Sequence, residues 1–346
     1  MKFNIIPVVV LLFGVVFSYG PATLKAQLAG ALSPVDQASR SAKAQAVFNQ
    51  YKISGRRASV AEEQLILVSS FKLPRTDSNL TDIRNLLAAT GDVEEKKGLI
   101  RLLAEQYERT GSTYRNGLII HDLKLLANSA DKSVARTATF SFTRLGFLPG
   151  IEEVLRNALN TSVISTDEYY GEIAHVVAFA PSNDQGRLVH ELRQSKNVYA
   201  SEIIAMGVNS ALFSANWTNE VRGEIGLLLE STEPTFPEAK GRYDLAVAVQ
   251  YSNWLNALAV VRSSVLNKEG AEFILNKLND SRTDARKAMA ILSSEYAPRI
   301  FQLIGERARF LVVYERISTY ARQHPQNHDM AASVGLISAR LAQMVR

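Results

Sequence analysis

Three short motifs carry side chains that could do chemistry. Glu230-Ser231 closes an apolar run and is followed by Pro234, Phe236, Pro237 and Gly241. A lone carboxyl in an apolar pocket keeps its proton near neutrality and can act as a general acid. Ser69-Ser70-Phe71-Lys72 sets a hydroxyl and an amine three residues apart. Glu172-Ile173-Ala174-His175 puts a carboxylate and an imidazole on one helix face, where both could reach a metal.

The other metal-ligating types are sparse. The histidines are His121, His175, His190, His324 and His328, and there is no cysteine. Thiolate zinc sites, disulfides and cysteine nucleophiles are therefore excluded. A di-iron bundle needs two Glu-x-x-His pairs and two further glutamates, and Glu172 with His175 is a single pair. No Gly-rich phosphate loop and no G-x-S-x-G is found. No metal and no cofactor is expected.

The elements that must position these residues are helices. Leu99, Leu102, Leu103 and Tyr107 recur at three and four, as do Leu255, Leu258, Val261 and Val265. Few stretches alternate at period two. Polar breaks at Thr81-Asp82, Asp131, Thr166-Asp167-Glu168, Ser182, Asn216 and Asp280 supply helix-capping residues. The breaks divide the chain into about sixteen helices joined by short links. Short links favour antiparallel neighbours, so the expected fold is all-α, a stack of helical hairpins. The longest break, 231–242, is a candidate subdivision.

Two segments share a plan. Ala127–Gly146 and Leu278–Ala297 each carry an Asn/Asp/Ser turn, an Asp, an Arg, Ala positions and a Leu. This resembles the second helix of a HEAT-type repeat. The resemblance implies an α-solenoid in which Asp131 caps and Arg136 reaches a neighbouring turn, with Asp280 or Asp284 and Arg286 as the second pair. An irregular helical array is the alternative.

Ser69 and Lys72, with Tyr251-Ser252-Asn253 and Arg109-Thr110-Gly111, resemble the three motifs of penicillin-binding proteins. The last two stand in reversed order here, and that family needs a β-sheet. Glu230, Ser231, Phe236, Pro237, Ala239 and Gly241 resemble the start of the catalytic motif of periplasmic lytic transglycosylases. The resemblance implies Glu230 as general acid. The Gly-Leu-Met-Gln and Tyr-Asn-Ala-Gly that complete that pattern are missing.

The first residues read as an export signal. Lys2 precedes an apolar run over Val8–Phe17, and small residues follow. Cleavage fits after Ala26 or Ala31, and an uncleaved N-terminal anchor is the alternative. Loss of residues 1–26 removes Lys2 and Lys25 and lowers the charge from +5 to +3. A cysteine-free exported chain suits a bacterial periplasm. The charge is spread along the chain rather than run into basic blocks, so a nucleic-acid partner is not expected.

The expected function is an exported module that binds another protein: an adaptor, an assembly factor or an immunity-type protein. The alternatives are a peptidoglycan-cleaving enzyme built on Glu230 and an oligomeric envelope scaffold. Trp and Tyr dominate interface hot spots. Tyr169, Tyr170, Trp217, Phe236, Tyr251 and Trp254 are therefore the expected contact residues.

Overall fold

The structure is a computed structural model that describes residues 34–53, 58–210, 217–237, 243–263 and 265–344. The leader 1–26 and its cleavage sites lie outside these residues, as do Asn216, Ala239 and Gly241. Among the described residues there are seventeen helices and no strand. The chain is all-α. It divides into two compact units, Met1–Phe179 and Ala180–Arg346. The break that begins at Thr232 lies within the second unit.

The first unit holds α1 (Pro34–Ile53), α2 (Ala58–Phe71), α3 (Asp77–Ala89), α4 (Val93–Glu105), α5 (Thr113–Ala127), α6 (Lys132–Thr143), α7 (Ile151–Asn160) and α8 (Thr166–Val177). Helices α2, α4, α6 and α8 follow one another as a row; α5 and α7 each pack on both chain neighbours in it, and α3 packs on α4. Leu99, Leu103, Ile119, Leu123, Phe142, Leu155 and Ile173 fill the core of this unit. The three-and-four spacing along each helix makes the apolar stripe that faces this core.

Side chains set where these helices start. Asp131 accepts from the backbone N–H groups of Ser133 and Val134 and caps α6. Ser165 and Glu168 form a reciprocal capping box at α8, so the cap is one residue before the Thr166 expected from the sequence. Thr76 caps α3, and Thr81-Asp82 lies inside that helix. Arg136 does not return to Asp131; its guanidinium crosses to the Glu168 carboxylate of α8.

The second unit holds α9 (Ser182–Ser195), α10 (Val198–Asn209), α11 (Asn219–Ser231), α12 (Leu245–Ser263), α13 (Lys268–Asn279), α14 (Ala285–Ser293), α15 (Ala297–Ile304), α16 (Arg307–Arg322) and α17 (His328–Gln343). Helices α10, α12, α14 and α17 form a row. Helix α12 is its centre, with α10, α11, α13 and α14 packed around it. Asp284, not Asp280, caps α14, and it also pairs with Arg286. Asp280 instead ends α13 and pairs with Arg282.

Burial and capping differ in weight. Phe142→Ala empties a fully buried site in α6 and is expected to cost about 3–5 kcal/mol. Asp131→Ala removes one cap and is expected to cost about 1 kcal/mol, with Asp131→Asn largely neutral. Denaturant titration of the three variants reads both effects.

Candidate functional site

An accessible surface that carries apolar side chains is on α10 and α12. Gln250 Nε2 donates to Glu202 Oε2 at 3.1 Å. About two turns further along both helices, Asn256 Nδ2 donates to Asn209 Oδ1 at 2.9 Å. Steps of similar length in the same sense make the two helices parallel. Their N-terminal ends therefore lie side by side, capped by Asn197 and by the carboxylate of Asp244.

Apolar side chains stand in solvent at that end. Val198 is 56% exposed, Tyr199 43%, Leu245 51% and Val249 45%. Lys196, Glu202, Asp244 and Gln250 surround them in the chain and supply a polar rim. At the other end the surface turns to amides and a phenol. Asn209 Nδ2 donates to the Asn253 carbonyl at 2.9 Å and reaches Tyr296 Oη at 3.1 Å. Tyr296 Oη donates to Asn253 Oδ1 at 2.7 Å. Burial pushes the Glu202 carboxyl above its ordinary range, against the hydrogen bond from Gln250.

Most of the expected contact aromatics are not on a surface. Tyr169, Trp217, Phe236, Tyr251 and Trp254 are buried, and Tyr170 is half-buried with its ring edge-on to Tyr169. For Tyr251 and Trp254 the reason is packing: α12 has neighbours on four sides, so its large rings turn inward. Trp254 Nε1 donates to the Leu229 carbonyl at 2.6 Å. Phe236 stacks on Tyr243 with ring centroids 5.7 Å apart. The exposed Tyr199 was missed because it follows the Asn197 cap directly, among residues that read as an ordinary helix start.

Glu230 is not in an apolar pocket. It lies on the exposed side of α11 and pairs with Arg262 at 2.9 Å. Both groups line an open groove of about 300 Å³ with Gly223, Leu258 and Val261. A solvated ion pair is the reverse of the setting that a general acid needs, so the surroundings do not support that role.

The residues after Ser231 form a strap. Thr232 Oγ1 meets Ser201 Oγ at 2.5 Å. Glu233 accepts from Lys287 at 2.6 Å and from Lys277 at 3.2 Å. Arg286 lies over the Phe236 ring and donates to the Pro237 carbonyl at 2.8 Å. Burial works against the charge on Glu233, but the two lysines hold its carboxyl below the usual range.

The remaining motifs are structural in their contacts. Ser69 Oγ donates to the Glu105 carboxylate, while Lys72 leaves α2 with φ 62° and an exposed side chain. The Glu105 carboxyl is raised by burial, against the Ser69 hydrogen bond. His175 is exposed on α8, and no group of three His, Asp or Glu among the described residues could hold a metal ion. Glu172, one turn before His175, is the most perturbed carboxyl of the first unit. Burial pushes it to about 7, against the hydrogen bond from Thr143 and the charge of Arg144.

The chain matches no family model, and it matches neither a curated protein nor a solved structure.

The raised carboxyl of Glu172 has a pH signature. A raised folded pKa contributes stability that is complete below the unfolded value of 4.5 and is lost as pH rises through about 7. Glu172→Gln keeps an acceptor for Thr143 and removes the charge. Its melting temperature is expected to exceed the parent's at pH 8 and to match it at pH 4. Thermal unfolding at the two pH values checks this.

Proposed function

We propose that this chain is an exported protein-binding module. In this reading a HEAT-like helical array holds another protein on an accessible helix face, as an adaptor, assembly factor or immunity-type protein would. The observation that carries it is the exposed patch of Val198, Tyr199, Leu245 and Val249 on two parallel helices. Side chains of this kind, grouped together and rimmed by polar groups, are characteristic of contact sites. An isolated exposed Leu would need no explanation.

Two further features agree with the reading. The cap-and-bridge contacts of Asp131 and Arg136 are those that the HEAT resemblance implies for a repeat array. The leader pattern and the lack of cysteine favour a bacterial periplasm. No helix among the described residues is long and apolar enough to cross a membrane. The enzyme alternative draws no support from Glu230, which is a solvated ion-pair partner.

The test is purification of the tagged mature chain from its native envelope, with mass spectrometry of what accompanies it. One partner near equal amount is expected. Tyr199→Glu with Val249→Glu should lose that partner at least tenfold while circular dichroism stays unchanged, because both side chains are partly exposed. A partner retained by the double variant would overturn the role of this patch. A chain that only pairs with itself, by mass in solution, would replace the module with a scaffold.

A further inference from the structure

The strap covers a cluster with the composition of an anion site. Lys277 Nζ lies 4.7 Å from the centre of the Trp254 ring, and Lys287 Nζ lies 5.2 Å from that of Tyr251. The two rings are 5.4 Å apart. Each ammonium is thus held over an aromatic face, which keeps it in place with little help from water. One oxygen of Glu233 goes to each lysine, so a single carboxylate bridges them.

A second observation points the same way. The Tyr251 hydroxyl is fully buried and makes no hydrogen bond, although its ring packs under Lys287. Leaving such a donor unpaired is costly, and native structures seldom do so without a reason. Burial pushes the Tyr251 hydroxyl above its ordinary range, and the charges of Glu233 and Asp284 push it the same way. A larger oxyanion than one carboxylate would have an oxygen to spare for it.

The strap is also built so that Glu233 alone can leave. Thr232 is tied to Ser201 on one side, and Phe236 and Pro237 are tied to Tyr243 and Arg286 on the other. These contacts use hydroxyl, ring and backbone groups that do not involve the Glu233 carboxylate. Rotation of one side chain therefore vacates the lysines without releasing the segment.

We propose that Lys277, Lys287 and the Tyr251 hydroxyl form a binding site for a small free oxyanion, a phosphate or a dicarboxylate, which Glu233 occupies from within. Glu233 acts as a tethered competitor, and the site opens when its side chain swings out. This site uses other side chains than the patch on α10 and α12 and does not depend on the protein-binding reading.

Calorimetric titration of the full chain with inorganic phosphate, and separately with succinate, tests it. An internal competitor lowers apparent affinity by the fraction of time the site is vacant, so Glu233→Gln should bind phosphate, succinate or both about tenfold more tightly than the parent. Adding Lys277→Gln and Lys287→Gln to that variant should abolish the gain. Tighter binding of phosphate alone assigns a phosphate site, and of succinate alone a dicarboxylate site. Equal binding by Glu233→Gln and the parent, or a gain that survives loss of both lysines, overturns the proposal. Should Glu233→Gln fail to fold by circular dichroism, Glu233→Asp takes its place. Its shorter side chain cannot bridge both lysines and should bind about threefold more tightly than the parent; no gain there overturns the proposal as well.

Discussion

The second unit depends on the enclosure of α12. A helix ordinarily buries one stripe and leaves the opposite face in water. Helix α12 is surrounded by α10, α11, α13 and α14, and Tyr251, Trp254, Leu255, Ala257, Leu258 and Ala259 are all buried. Such a helix can carry polar groups only where partners exist for them. Trp254 therefore spends its N–H on the end of α11, and Asn256 spends an N–H on Asn209. These bonds fix the height of α12 against its neighbours. The position of the strap follows, because Lys277 and Lys287 stand on the two helices that flank α12.

The same arrangement separates a sealed side from an open one. Ile204, Val208, Leu255 and Leu258 are buried further along α10 and α12, while Val198, Tyr199, Leu245 and Val249 near their starts are exposed. Their caps satisfy the free N–H groups there, so the apolar residues next to the caps need no cover for the sake of the backbone. The accessible residues at that end are available for contact without any rearrangement of the core. In the first unit the row of helices carries an ion pair, Arg136 on Glu168, and a hydrogen bond from the buried Thr143 hydroxyl to Glu172.

Helix content and the all-α class were legible because three-and-four spacing is a local property of the chain. The cap at Asp131 was legible for the same reason. What the sequence could not carry was the number of neighbours around each helix. Tyr251 and Trp254 stand on a helix whose pattern resembles any other, and their burial depends on α14, which starts more than thirty residues later. Glu230 was read from its local motif, whereas its surroundings are set by Arg262 on another helix. The break after Ser231 was correctly seen as the interruption between two helices, but its anchoring by Lys277, Lys287 and Arg286 joins residues about fifty positions apart. Pairing across such separations leaves no local mark.

The enclosure of α12 also bears on how the chain is made. Synthesis proceeds from the N-terminus, and folding of a segment waits for the partners that cover it. When α12 leaves the ribosome, α10 and α11 are already present, but α13 and α14 are not. Until residue 293 has emerged, part of the Tyr251–Leu258 surface has nothing to pack against. A nascent chain stalled in that interval exposes a helix that the folded unit covers on four sides, and this is the stage at which it is most exposed to aggregation and most in need of a holding chaperone.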